Sequence, residues 1–119
     1  MKVIKLAAVA LTLVLAACAQ EQDSTTAANE VASRDLQPAD AQLAEIYNRS
    51  CRSCHTVAAT GSPLTGDTAA WQPRMGKGMN TLLDSVVNGF GGMPPFGLCM
   101  DCGAEEFEAL ILFMAGEQK

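Results

Sequence analysis

Residues 51–55 read Cys-Arg-Ser-Cys-His, which puts two thiols three positions apart with an imidazole directly after them. On one helical turn, Cys51 and Cys54 can form thioethers to the two vinyl groups of a haem, and His55 then presents its imidazole to the iron; C-x-x-C-H is the attachment pattern of c-type haem. Two other chemistries use the same residue types. A thioredoxin-like dithiol requires a βαβ context, of which the sequence gives no sign. A zinc site made from Cys51, Cys54, Cys99 and Cys102 would bridge pairs much farther apart than the ~15–20 residues usual for such sites, and it would leave His55 without a role. The expectation is one covalently bound haem c.

A haem iron takes a sixth ligand or keeps an open position, and Met93 in "NGFGGMPPFG" is the candidate for the former. Gly89, Gly91 and Gly92 let backbone approach a flat group closely, and Pro94 and Pro95 stiffen the chain beyond the thioether. Met114 falls on a helical stripe and reads as core, while Met75, Met79 and Met100 stay open between core and ligand. Cys99 and Cys102 form a second C-x-x-C, but Gly103 stands where the histidine of a second haem would be.

Several elements must position these residues. The N-terminus has Lys2 and Lys5 ahead of the apolar run "LAAVALTLVLAA", the layout of a secretory signal peptide over residues 1–17, and the run is too short to span a bilayer. Leu15-Ala16-Ala17-Cys18 resembles a bacterial lipobox, in which Cys18 becomes the lipidated first residue, and Ala19 after it favours the outer over the inner membrane. Residues 18–38, rich in Ala, Thr, Ser, Glu and Gln, read as a flexible tether able to extend to about 70 Å. The folded domain is expected over residues 39–119. Three amphipathic helices are expected there: one from Asp40 with Leu43, Ile46 and Tyr47 on one face, one through Leu82, Leu83, Val86 and Val87 to Gly89, and one with Phe107, Leu110, Ile111 and Met114 up to Gly116. No stretch alternates as a strand does, so the fold class is all-α, with long loops and a core too small to close without a bound group.

Charge narrows the partners. The formal net charge is −5 over 119 residues and becomes −7 once Lys2 and Lys5 are removed, which excludes nucleic acid. Arg49, Arg52, Arg74 and Lys77 lie between the acidic ends of the sequence and are expected to form a basic rim at the haem edge.

From about residue 40 to 117 the sequence resembles class I cytochromes c, and within them the cytochrome c5 group. The resemblance rests on "CRSCH", on "GSPLTGDTAAWQPR" and on "NGFGGMPPFGLCMDC". It implies a periplasmic protein of helices wrapped around one haem, carrying single electrons between an upstream reductase or quinol-oxidising complex and a downstream oxidase or reductase. By the same resemblance His55 and Met93 are axial ligands, the carbonyl of Pro63 holds the His55 imidazole, and Trp71 and Arg74 lie near the haem propionates. Cys99 and Cys102 then form an internal disulfide, as an exported location permits. A redox-active dithiol is the rival reading of that pair. A haem enzyme or gas sensor with a labile Met93 is the rival reading of the whole, although the sequence offers no separate catalytic constellation.

Overall fold

The helical run that carries Cys51 and Cys54 starts at Asp40, whose carboxylate accepts the Leu43 N–H at 2.9 Å and so satisfies a donor that the first turn would leave open. The computed structural model in which this is seen describes residues 24–117, so Cys18 and the signal peptide expected over 1–17 lie outside the described residues. The elements are α1 (residues 24–35), α2 (Ala41–Ile46), α3 (Arg52–His55), α4 (Thr68–Met75), α5 (Met79–Asn88) and α6 (Ala104–Met114). A π turn over Tyr47–Cys51 joins α2 to α3, and 3-10 turns occupy Ala58–Thr60 and Pro95–Leu98. Among the described residues there is no strand, only one antiparallel bridge between Phe90 and Met93. None of these helices is long and apolar enough to cross a membrane.

The all-α expectation holds, and the three amphipathic helices are α2, α5 and α6. Two further helices depart from the sequence reading. Residues 24–35 are helical instead of irregular, with Ser33 fully buried, because polar side chains rather than an apolar stripe attach α1 to the domain. Helix α4 lies inside what reads as a loop. Asp67 caps it by accepting the Ala70 N–H at 3.1 Å, and Trp71 is its one buried residue, so no hydrophobic period announces it.

Helix α6 is the centre of the core and packs against α2 and α5. Glu106 reaches back to accept the Gly103 N–H at 2.8 Å, and Glu105 and Glu106 both lie in the first turn, where the helix dipole favours negative charge. Phe107, Leu110, Ile111, Phe113 and Met114 are all buried on it. Leu110, at 1% exposure, contributes about 1.5–3 kcal/mol by leaving water. Tyr47, wholly buried, meets Phe113 edge-on at 5.1 Å and shares a hydrogen bond of 2.9 Å with the buried Thr65 hydroxyl. That bond ties the cysteine-bearing run to the loop that follows it.

Candidate haem-binding site

A cleft of about 720 Å³, measured out to its mouth, runs between α3, the loop containing Met93, and α6. Its walls are mainly apolar, from Val86, Phe96, Phe107, Leu110, Ile111 and Met114, and four of the expected site residues line it: Cys51, Cys54, His55 and Met93. Neither cysteine is part of a disulfide, and burial is the main reason that the Cys51 thiol is pushed up to about 11. A thiol so reluctant to ionise is a poor redox nucleophile at neutral pH.

His55 is buried and places Nδ1 2.8 Å from the carbonyl oxygen of Pro63. The carbonyl only accepts, so Nδ1 carries the proton and Nε2 keeps its lone pair. Burial is the largest influence on the imidazole and lowers its pKa from 6.5; the Pro63 bond raises it, and positive Arg74 lowers it further. The ring is therefore neutral at pH 7, the state in which an imidazole binds metal. Trp71 stacks behind it, ring centroids 5.8 Å apart, and donates its indole N–H to the Leu64 carbonyl at 2.9 Å. The Thr65 N–H donates to the His55 carbonyl at 2.8 Å, so the loop after α3 is stitched to the histidine from both main chain and side chain.

Opposite His55, backbone geometry fixes Met93. Its N–H and carbonyl exchange hydrogen bonds with Phe90 at 2.9 and 3.1 Å, closing a tight turn. Gly89 turns the chain out of α5 with φ 81° and ψ 155°, a conformation open essentially only to glycine. After Pro94 and Pro95, Phe96, Gly97 and Leu98 follow one another at φ 58°, 54° and 66°. Two of the three are not glycine, so this segment holds backbone strain of the kind found where a side chain must be aimed. A Cβ on Gly97 would come within 3.3 Å of the Met93 methyl group, so the glycine leaves room for the thioether.

Not every expected residue lines the cleft. Trp71 and Arg74 stand behind His55 and are absent from the cleft wall, and Pro63 contributes through its carbonyl alone. Three of the four cations expected at the rim are held by other groups. Arg49 pairs with both carboxylate oxygens of Asp101, at 3.0 and 2.8 Å; Arg52 turns to Asn48 and the carbonyl of Arg34; Arg74 folds back onto the Ala70 carbonyl. None of the four cations lines the cleft. Cys99 and Cys102 have their sulfurs within bonding distance and their Cα atoms 5.4 Å apart. Among the described residues they gather only Asp101 about them, so the four cysteines do not converge as a zinc site would require. Sequence reasoning also missed Phe107 and Leu110 as cleft walls, although their helical stripe was visible.

Two thiols, a neutral imidazole and a thioether around an apolar cleft are a donor set that fits haem c, and the comparisons agree. A family profile described as "Cytochrome C oxidase, cbb3-type, subunit III" matches residues 38–114. Cytochrome c5 of Ectopseudomonas mendocina is 36% identical over 74 residues, covering 60% of this chain and 85% of that protein. The chain belongs to the class I c-type cytochromes, in the cytochrome c5 family. Cytochrome c5 of Azotobacter vinelandii is 35% identical over 74 residues, 60% of this chain and 89% of that protein. Cytochrome c-555 of Chlorobaculum tepidum is 35% identical over 77 residues, 61% of this chain and 71% of that protein. A chain from a crystal structure of an electron transfer complex of nitrite reductase with cytochrome c superposes with a TM-score of 0.58 at 29% identity, covering 67% of this cytochrome and 98% of that chain. The cofactor of this cytochrome is covalently attached haem c, and its function is electron transfer.

Proposed function

We propose that this cytochrome is a periplasmic single-electron carrier with His/Met ligation, without a substrate-converting site, docking briefly with larger redox proteins. In this reading Cys51 and Cys54 would hold the haem covalently, and His55 Nε2 and the Met93 sulfur would ligate its iron. The observation that carries it is the convergence of those four side chains on one cleft, with the His55 tautomer set by Pro63. Haem c supplies a one-electron Fe(III)/Fe(II) couple, which a thioether ligand tends to raise in potential. The protein excludes water with the α6 side chains and holds both ligands on backbone that need not move between oxidation states. A reductase is a fitting class of partner, as nitrite reductase is for the cytochrome c in the neighbouring electron transfer complex. Residues 1–17 act as the signal peptide, and Cys18 carries the lipid anchor, at the outer membrane by the reading of Ala19. With α1 folded, the flexible part of the tether is shorter than the sequence alone implies.

The test is the visible spectrum of protein matured with haem, in ferric and ferrous states and under carbon monoxide. A low-spin spectrum with the weak far-red methionine-to-iron band, unaltered by carbon monoxide, is expected. Ready carbon monoxide binding would instead favour an open-iron enzyme or sensor. Cys99 and Cys102 act in this proposal as a disulfide brace between the Met93 loop and α6. Closing so short a loop contributes about 2 kcal/mol in the chain-entropy model. Replacing both by serine is expected to lower the melting temperature by several degrees while the far-red band persists; disappearance of the band would show that the disulfide holds the ligand directly.

A further inference from the structure

Helix α1 lies outside the family match, which begins at residue 38, yet it is fastened to the domain at defined points. Asn29 Nδ2 donates to Asp67 Oδ2 at 3.0 Å, and Glu30 Oε2 accepts the Ala58 N–H at 2.8 Å. Ala58 and Asp67 are the two ends of the segment that leaves His55 and returns to α4. Between them lie Pro63, whose carbonyl holds the His55 ring, and Leu64, whose carbonyl holds Trp71. Ala58 opens a 3-10 turn that has no side-chain cap of its own, so the glutamate supplies from 28 residues away what the turn lacks. Asp67 uses its other oxygen to cap α4. Leu36 closes over the same segment: a Cβ on Gly66 would fall 2.5 Å from its Cδ1.

We propose that α1 is a splint for the histidine side of the haem, with Asn29 and Glu30 as positioning residues that clamp both ends of residues 58–67 and so set the hydrogen bond from His55 Nδ1 to Pro63. The proposal rests on His55 being an axial ligand. Its physical content is a chain of constraint. The clamp fixes the loop, the loop fixes the carbonyl, and the carbonyl sets how strongly the imidazole donates to iron, because a firm Nδ1–H···O bond makes the ring more basic and favours the ferric state. Slackening the clamp weakens that bond and favours the ferrous state. An N-terminal segment that reads as a tether thus takes part in setting the potential.

The experiment uses the full chain matured with haem, in the Glu30→Ala, Glu30→Gln and Asn29→Ala forms. Amide hydrogen exchange at Ala58 is expected to quicken at least tenfold in Glu30→Ala and to stay near the parent rate in Glu30→Gln, whose amide oxygen still accepts. The reduction potential is expected to rise in Glu30→Ala and in Asn29→Ala, and to return towards the parent in Glu30→Gln. The glutamine form separates the clamp from simple loss of a negative charge, since both Glu30 variants lose it. Faster exchange at Ala58 with an unchanged potential would reduce α1 to packing and overturn the proposal, as would equal potentials in the two Glu30 variants or an Ala58 amide indifferent to Glu30. The unaltered protein's spectrum reports His/Met ligation separately, so failure of the carrier reading is distinguishable from failure of the splint.

Discussion

Replacing Met93 by alanine is expected to remove the far-red methionine-to-iron band, admit carbon monoxide to the ferrous form, and lower the reduction potential by on the order of 0.1 V, a fraction of the roughly 0.8 V over which axial ligands set haem potentials. The fold should survive, because Met93 is only half-buried and its turn is held by backbone bonds with Phe90 that do not involve the thioether. Met114 provides the control. It lines the same cleft but sits on α6 at 4% exposure, so Met114→Ala should cost about 2–5 kcal/mol in stability and keep the band. If Met114→Ala lost the band and Met93→Ala retained it, the ligand assignment would have to be exchanged between them. Absorption spectra and urea denaturation of the two variants decide the matter.

Gly89→Ala is expected to be the most damaging single-methyl change in the ligand loop. The residue stands at φ 81° and ψ 155°, where a side chain is strained by roughly 1–3 kcal/mol. Its added Cβ would also meet the Met93 carbonyl oxygen at 2.9 Å and the Pro95 nitrogen at 3.1 Å, both backbone atoms that cannot swing aside. The loop must then shift as a body, carrying the thioether with it. Gly91→Ala, two residues along, also has a positive φ of 57° but nothing within 4 Å of its Cβ, so it should lose about 1 kcal/mol and leave ligation alone. Thermal melts followed at the far-red band should therefore rank Gly89→Ala well below Gly91→Ala. Equal melting temperatures would mean that the loop is softer than its hydrogen bonds imply.

What the sequence made legible was the chemistry that is local in the chain. Cys51, Cys54 and His55 are neighbours, and Met93 is marked by its glycines and prolines, so all four could be named without knowing their arrangement. Helices α2, α5 and α6 were legible because they bury apolar stripes. Helix α1 was not, since Asn29 and Glu30 act through single hydrogen bonds to residues 38 and 28 positions away. Such contacts leave no period. Helix α4 contains Pro73 and buries only Trp71, which hides it from both propensity and pattern. The partners of two of the basic residues were hidden for a related reason: neither Asp101 for Arg49 nor the carbonyl of Arg34 for Arg52 is adjacent in sequence.

Trp71 is the only tryptophan in the chain, and its stacking on His55 has an optical consequence. With haem bound at the histidine, the indole lies so close to a strongly absorbing ring system that its emission is quenched by energy transfer. Emission recovers only when the two separate, so this one fluorophore reports on the opening of the histidine side, while under the proposed ligation the far-red band would report on Met93. Followed together during denaturation, the two signals show which half of the crevice lets go first, with no label added to the protein.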